Sequence, residues 1–125
     1  MTYKKDKSFW KKPFRLIQPN LRKIDAVTIN VKDIVEEVQN YGANAMIVNG
    51  GGIIAWYPTD NPYQQVNDFM EGDILHDFIE TAHSKGIKVL VRMDISKSFQ
   101  HVLEQHPDWF RKDINGNVKK NIGKC

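Results

Sequence analysis

A chain of 125 residues with 41% hydrophobic and 26% charged positions has room for one domain with a core, and too little for two ordinary ones. No low-complexity stretch argues for disorder, and no apolar run approaches the length of a membrane span. The formal charge of +3 hides an asymmetry: residues 1–23 carry a net +7, residues 24–110 a net −8 and residues 111–125 a net +4. A nucleic-acid binder spreads its basic residues over one face of the folded body, so these basic ends read as solvated termini and no nucleic-acid partner is expected.

Cys125 is the only cysteine, which excludes an intrachain disulfide and a thiol cluster for zinc. The opening Met1-Thr2-Tyr3-Lys4-Lys5-Asp6-Lys7 lacks the apolar stretch of a signal peptide, so a cytoplasmic location is the default and no membrane partner is expected. Residues 1–13 read as a basic N-terminal extension, and the folded portion as residues 14–125.

In chain order, Phe14-Arg15-Leu16-Ile17-Gln18 reads as a first strand that empties into Pro19-Asn20. The spacing of Ile34, Val35, Val38 and Tyr41 predicts a helix over Val31–Tyr41, with Asn30 as its N-cap and Gly42 as its stop. Asn44-Ala45-Met46-Ile47-Val48-Asn49 is apolar enough for a strand covered on both faces, and Gly50, Gly51 and Gly52 follow it. A loop holding Trp56-Tyr57-Pro58 and Pro62 leads to a second helix, capped by Asp73 and running to Lys85, with Ile74, Leu75, Phe78, Ile79 and Ala82 on one side. After Gly86, Ile87–Val91 reads as a third strand, which delivers Arg92, Asp94 and Ser96 to its carboxyl end. A third helix over about Lys97–Gln105 ends at Pro107, Trp109-Phe110 is expected to pack under it, and Asp113-Ile114-Asn115-Gly116-Asn117 predicts a hairpin or tight turn. Alternating strands and helices imply crossovers and a parallel sheet. An eight-stranded βα barrel needs about 250 residues, so this chain holds roughly three of its eight units.

Ile17-Gln18-Pro19-Asn20-Leu21-Arg22 with Asp25, Gly42-Ala43-Asn44-Ala45, Val48-Asn49-Gly50-Gly51-Gly52-Ile53, Ala55-Trp56-Tyr57-Pro58-Thr59, Gly72-Asp73, Gly86-Ile87-Lys88-Val89, Arg92-Met93-Asp94-Ile95-Ser96-Lys97 and His106-Pro107-Asp108-Trp109-Phe110 form an ordered set. In it the chain resembles the N-terminal part of the hypothetical glycosyl hydrolase 6 family, over about Phe14 to Asn117. The resemblance implies an α/β fold, a partial (β/α)8 barrel of TIM type related to α-L-fucosidases, in which further strands carry the nucleophile and acid/base carboxylates. It also implies a carbohydrate partner and, for this chain alone, inactivity.

Glycoside hydrolysis ordinarily takes two carboxyl groups flanking the bond, and Asp94 is the one candidate catalytic carboxylate at a strand end. Period two allows Arg92 and Asp94 to share a face, so the pair can serve the barrel mouth, cap the third helix with Ser96, or bind a substrate hydroxyl, and the structural uses are favoured over catalysis. Asn20 and Asn49 end the first two strands, where their amides either meet sugar hydroxyls or satisfy loop backbone. Trp56 and Tyr57 offer flat faces suited to a pyranose ring, with packing the favoured alternative. Gly50-Gly51-Gly52-Ile53-Ile54-Ala55 matches the glycine pattern of dinucleotide sites, but Trp56-Tyr57-Pro58 argues against the helix such a site requires, and no cofactor is expected. His76, His83, His101 and His106 lack metal-site spacing and read as surface or rim residues, and no Ser-His-Asp grouping has the context of a nucleophile elbow.

The favoured reading is the amino-terminal segment of a glycosidase-like barrel with a rim of Asn20, Asn49, Trp56, Tyr57, Arg92 and Asp94. The open edge of its last strand leads us to expect self-association, or docking of the missing barrel remainder. The alternatives are a free-standing α/β carbohydrate-binding module, and a scaffold piece that joins a separately encoded remainder.

Overall fold

The computed structural model describes residues 8–118; Cys125, the acidic and basic residues before Ser8, and the end of the expected barrel portion lie outside that range. The elements are β1 (Leu16–Ile17), α1 (Val31–Asn40), β2 (Ala45–Gly52), β3 (Ile54–Ala55), β4 (Gln65–Val66), α2 (Ile74–Ser84), β5 (Lys88–Asp94) and α3 (Gln100–Gln105), with single 3-10 turns at Phe9–Lys11, Lys23–Val27 and Pro107–Trp109.

Both long helices start where a side chain satisfies the free amides of the first turn. Asn30 Oδ1 accepts from the amides of Lys32 and Asp33 at 3.1 and 3.4 Å, and Asp73 Oδ1 accepts from the His76 amide at 2.9 Å. Gly42 and Gly86, with φ of 73° each, take the left-handed turn that ends them. Val35 and Val38 of α1 face Ile74, Phe78 and Ala82 of α2 in a buried cluster that also takes in Met46, Val48, Trp56 and Ile87. Tyr41 was expected on that apolar face; it stands just past α1 as the C-cap and is 78% exposed.

β1, β2 and β5 form a parallel sheet in the order β1-β2-β5, with β2 in the centre. Leu16 opposes Ala45 and Ala45 opposes Lys88, while Ile17 opposes Met46 and Met46 opposes Val89. Residues in register share a face of a parallel pair, so Ile17, Met46, Val48 and Val89 look toward the helices and Leu16, Ile47, Asn49, Leu90 and Arg92 look the other way. On the helix side Met46 and Val48 are fully buried, while Val91, the register partner of Val48, is 42% exposed on β5; on the opposite side Ala45 is buried and Leu16 is 41% exposed. The expected burial of β2 on both faces therefore holds in full on one face and in part on the other.

Three further differences from the sequence reading have local causes. Residues expected as loop pair briefly, Ile54 and Ala55 running parallel to Gln65 and Val66. The third helix begins at Gln100 instead of about Lys97, with Phe99 at its N-cap and no side-chain cap, while Ser96, the cap an earlier start would use, turns back to bond Asp94. Trp109 does not pack under α3; it is 58% exposed and lies flat on His106.

The glycines after Asn49 continue β2 and make it irregular. Asn49 opposes Arg92 and Gly51 opposes Met93, so Gly50 is an extra residue and the pairing has a β-bulge. A Cβ on Gly50 would overlap Val91 Cγ1, one on Gly51 would lie 2.9 Å from Met93 Cε, and one on Gly52 would overlap the Asp94 carbonyl. Gly52 also has a φ of +99°, which L side chains rarely adopt. This glycine run is an approach between two strands, with no helix beginning at it.

Gly52→Ala is expected to cost more than about 3 kcal/mol, through left-handed strain and overlap with backbone that cannot yield. Gly72→Ala, at φ +69° with nothing within 4 Å, is expected to cost about 1–2 kcal/mol. Urea unfolding of both variants checks the difference; equal midpoints would contradict the close approach.

Candidate functional site

The carboxyl ends of β2 and β5 lie side by side, and the bulge fixes what they present. Asn49 and Arg92 are register partners facing away from the helices, and Asp94, two residues after Arg92, shares that face. Arg92 Nη2 donates to Asp94 Oδ2 at 3.2 Å. The Ser96 hydroxyl donates to Asp94 Oδ1 at 2.6 Å and the Ser96 amide to the same oxygen at 3.1 Å. The Asp94 carbonyl accepts from the Ile53 amide at 2.9 Å, tying the strand end to the chain that leaves the bulge.

These contacts favour the ionised carboxylate. The Ser96 hydroxyl first, then its amide, hold the Asp94 carboxyl below the usual aspartate range; burial opposes them, and the Arg92 hydrogen bond and charge add smaller lowering effects. With side chains 45% and 33% exposed, Arg92 and Asp94 remain accessible. The guanidinium keeps N–H donors beyond the one it spends on Asp94, and Asp94 Oδ2 keeps a lone pair, so the pair offers donor and acceptor together to a polyhydroxylated ligand. An ionised Asp94 does not serve as a general acid, and the groups that touch it are a hydroxyl, an amide and a guanidinium in place of a second carboxyl group.

The other residues singled out from sequence fall into different environments. Asn49 Nδ2 donates to the Leu21 carbonyl at 3.2 Å and so ties the loop after β1 to the end of β2. Asn20, one residue before Leu21, is exposed on that loop. Trp56 is 5% exposed within the helix-side core, and its amide donates to the Gly50 carbonyl at 2.8 Å while its carbonyl accepts from Leu75 at 3.0 Å. Tyr57, the next residue, is half-buried. Asn49, Arg92 and Asp94 thus stand together, Asn20 borders them through Leu21, and Trp56 supports the bulge from the core side.

Sequence reasoning passed over two features. Asn67 is 1% exposed: its Nδ2 donates to the Lys23 carbonyl at 3.0 Å and its Oδ1 accepts from the Phe69 amide at 3.1 Å, which locks the β4 loop onto the turn after β1. An isolated Asn in a polar stretch gives no sign of such burial. The second is an aromatic cluster in which His106 Nε2 lies 2.9 Å from Tyr63 Oη and the His106 ring stacks on Trp109 at 3.9 Å and 7°. His106-Pro107-Asp108-Trp109 was visible as a motif, but nothing in its neighbourhood pointed to Tyr63. Among the described residues no group of three His, Cys, Asp or Glu side chains is placed to hold a metal ion, and no helix is long and apolar enough to cross a membrane.

A sequence profile described as "Hypothetical glycosyl hydrolase 6" matches residues 30–124. The chain belongs to that family. The match takes in α1, the bulged β2, α2 and the Arg92-Met93-Asp94-Ile95-Ser96 junction, and starts after β1, whereas the motifs read from sequence begin before it. Among solved structures, the chain is similar to α-L-fucosidase isoenzyme 2 from Paenibacillus thiaminolyticus, with a TM-score of 0.65 and 19% identity over 84% of this chain. At that identity the likeness is one of fold. The chain spans 16% of the length of that fucosidase chain. No curated protein matches it.

The lowered Asp94 value has a sign that can be checked. A carboxyl group whose folded pKa lies below its unfolded value, about 4, stabilises the fold fully above that unfolded value, and the contribution is lost as pH falls through the folded one. Ser96→Ala removes the largest cause and should raise the Asp94 midpoint in a carbon-detected carboxyl titration, by more than Arg92→Ala does. An unmoved midpoint in Ser96→Ala, or a larger rise in Arg92→Ala, would contradict this assignment.

Proposed function

We infer that the chain is the amino-terminal part of a (β/α)8 glycoside hydrolase barrel and supplies one wall of a sugar-binding site, without hydrolysing a glycoside by itself. The observation that carries the reading is the Asn49, Arg92 and Asp94 group at adjacent parallel strand ends in a chain of a glycosyl hydrolase family. In parallel α/β proteins ligands gather at that end, because loops and helix N-termini converge there. Arg92 and Asp94 would grip neighbouring sugar hydroxyls as donor and acceptor, Tyr57 and Asn20 would border them, and Asn49 and Trp56 would hold the loops in place. The catalytic carboxylates would come from further strands, with Asp94 positioning the substrate.

The sheet supports a continuation. Among the described residues β5 is an edge strand, bonded to β2 on one side only, and Val91 and Met93 on it are 42% and 51% exposed. An edge with apolar side chains and unpaired backbone is a template for another strand. A further βα unit would cover both, and without one the chain would self-associate. The second reading, a free-standing carbohydrate-binding module, draws on the buried cluster that α1, α2 and β2 already form among the described residues.

Titration calorimetry of the 125-residue chain with methyl α-L-fucoside and methyl β-D-galactoside is expected to give weak binding of at least one sugar. Arg92→Ala or Asp94→Ala should weaken it about tenfold, the worth of one charge-assisted hydrogen bond. The aryl glycosides of the same sugars should not be cleaved; cleavage by the purified chain would overturn the positioning role. Sedimentation separates the two readings: concentration-dependent association is expected for the barrel segment, and a monodisperse, cooperatively melting monomer would favour the free-standing module.

A further inference from the structure

Trp109 is held in a way its packing does not require. The turn Pro107–Trp109 brings it back onto His106, with the Trp109 amide donating to the His106 carbonyl at 3.1 Å, and the indole lies 3.9 Å from the imidazole and within 7° of parallel. Tyr63 stands edge-on to both rings, at 5.0 Å from His106 and 5.2 Å from Trp109, and its hydroxyl lies 2.9 Å from His106 Nε2. One face of the indole is thereby covered and its orientation set, while the residue remains 58% exposed. The buried Trp56 shows the contrast, a tryptophan used as core.

The platform also has a defined place. Tyr63 is followed by Gln64, whose Nε2 donates to the Gly52 carbonyl at 2.9 Å, and Gly52 is the register partner of Asp94. The cluster thus joins the excursion after β2 to the segment after β5, and the residue next to Tyr63 is bonded to the carbonyl that sits opposite Asp94 in the β2–β5 register. An indole face is electron-rich and apolar, and the ring hydrogens gathered on one face of a galacto-configured pyranose meet such a surface favourably. A ring already fixed by two neighbours loses little freedom on binding, so contact area is converted to affinity more fully than on a mobile side chain.

We propose that the free face of Trp109, backed by His106 and braced by Tyr63, is a stacking subsite for a galacto-configured pyranose adjoining the Arg92 and Asp94 wall. The subsite rests on the carbohydrate reading of that wall and names the side of the sugar the wall does not hold: polar groups take the hydroxyls and the indole takes the ring hydrogens.

The test is saturation-transfer NMR on the 125-residue chain with methyl β-D-galactoside, irradiating aromatic protons. Transfer is expected to be strongest at the C3, C4 and C5 hydrogens of the sugar, to fall about tenfold in affinity-weighted intensity in Trp109→Ala, and to persist in Trp109→Phe, which keeps a stacking face. Full transfer in a folded Trp109→Ala variant, lost in Arg92→Ala, would overturn the subsite and leave the wall standing. Transfer absent from the parent chain would overturn both. Should Trp109→Ala fail to fold, transfer to the C3–C5 hydrogens in the parent compared with Trp109→Phe decides, and a pattern spread evenly over the sugar overturns the subsite.

Discussion

Between Asn49 and Gly52, β2 carries one residue more than β5 does, and a side chain at Gly50, Gly51 or Gly52 would run into Val91, Met93 or the Asp94 carbonyl. The two strands stay paired through the irregularity because Gly50 and Gly52 carry no Cβ, whereas at Gly51 the nearest atoms are the movable ends of Met93 and Gln64. What the strand ends present depends on that pairing. It sets Arg92 beside Asn49, keeps Asp94 on the same face, and lets the Ile53 amide bond the Asp94 carbonyl. The path continues inward: the Gly50 carbonyl accepts from Trp56, and the Trp56 carbonyl accepts from Leu75 in the first turn of α2. A bulge near a site commonly re-aims side chains, and here it also anchors a core tryptophan and the start of a helix.

The two faces of the sheet are therefore unequal. On the helix side, Val35, Val38, Met46, Val48 and Phe78 are each no more than 3% exposed, and burial of such side chains is worth about 1.5–3 kcal/mol apiece as an upper estimate. Toward β5 that same side opens, with Val91 and Met93 accessible, and on the other side Leu16 stays accessible. The charged pair at the end of β5 adds little stability in itself, because accessible ion pairs are screened by water. Its significance is chemical: a carboxylate held ionised by Ser96 and Arg92 accepts hydrogen bonds and does not deliver a proton.

Much of this architecture was legible in the sequence, and the parts that were share a cause. Asn30, Gly42, Asp73 and Gly86 mark helix ends through contacts within one turn of the chain, so the helices could be placed closely from local pattern. The apolar run into Arg92 and Asp94 likewise announced a strand and its polar end. What could not be read depends on partners distant in sequence. The ladder of Ile54–Ala55 with Gln65–Val66 is two residues long and has no periodicity to detect. Asn67 is buried because Lys23, 44 residues earlier, offers a carbonyl. The glycines after Asn49 match the dinucleotide-site pattern by spacing without the helix it requires, and only the position of β5 explains them as an approach between strands. His106 looked like a rim residue, and its stacking on Trp109 together with its bond to Tyr63 is a meeting of two loops.

The central claim is that the ends of β2 and β5 face a sugar. A map of backbone amide shifts for the isotopically labelled 125-residue chain, titrated with methyl β-D-galactoside, tests it most directly. The account predicts perturbations concentrated at Asn49–Ile53 and Arg92–Ser96, with α1 and the outward side of α2 unmoved. Perturbations centred on the helices, or a spectrum unchanged at saturating sugar, would contradict it.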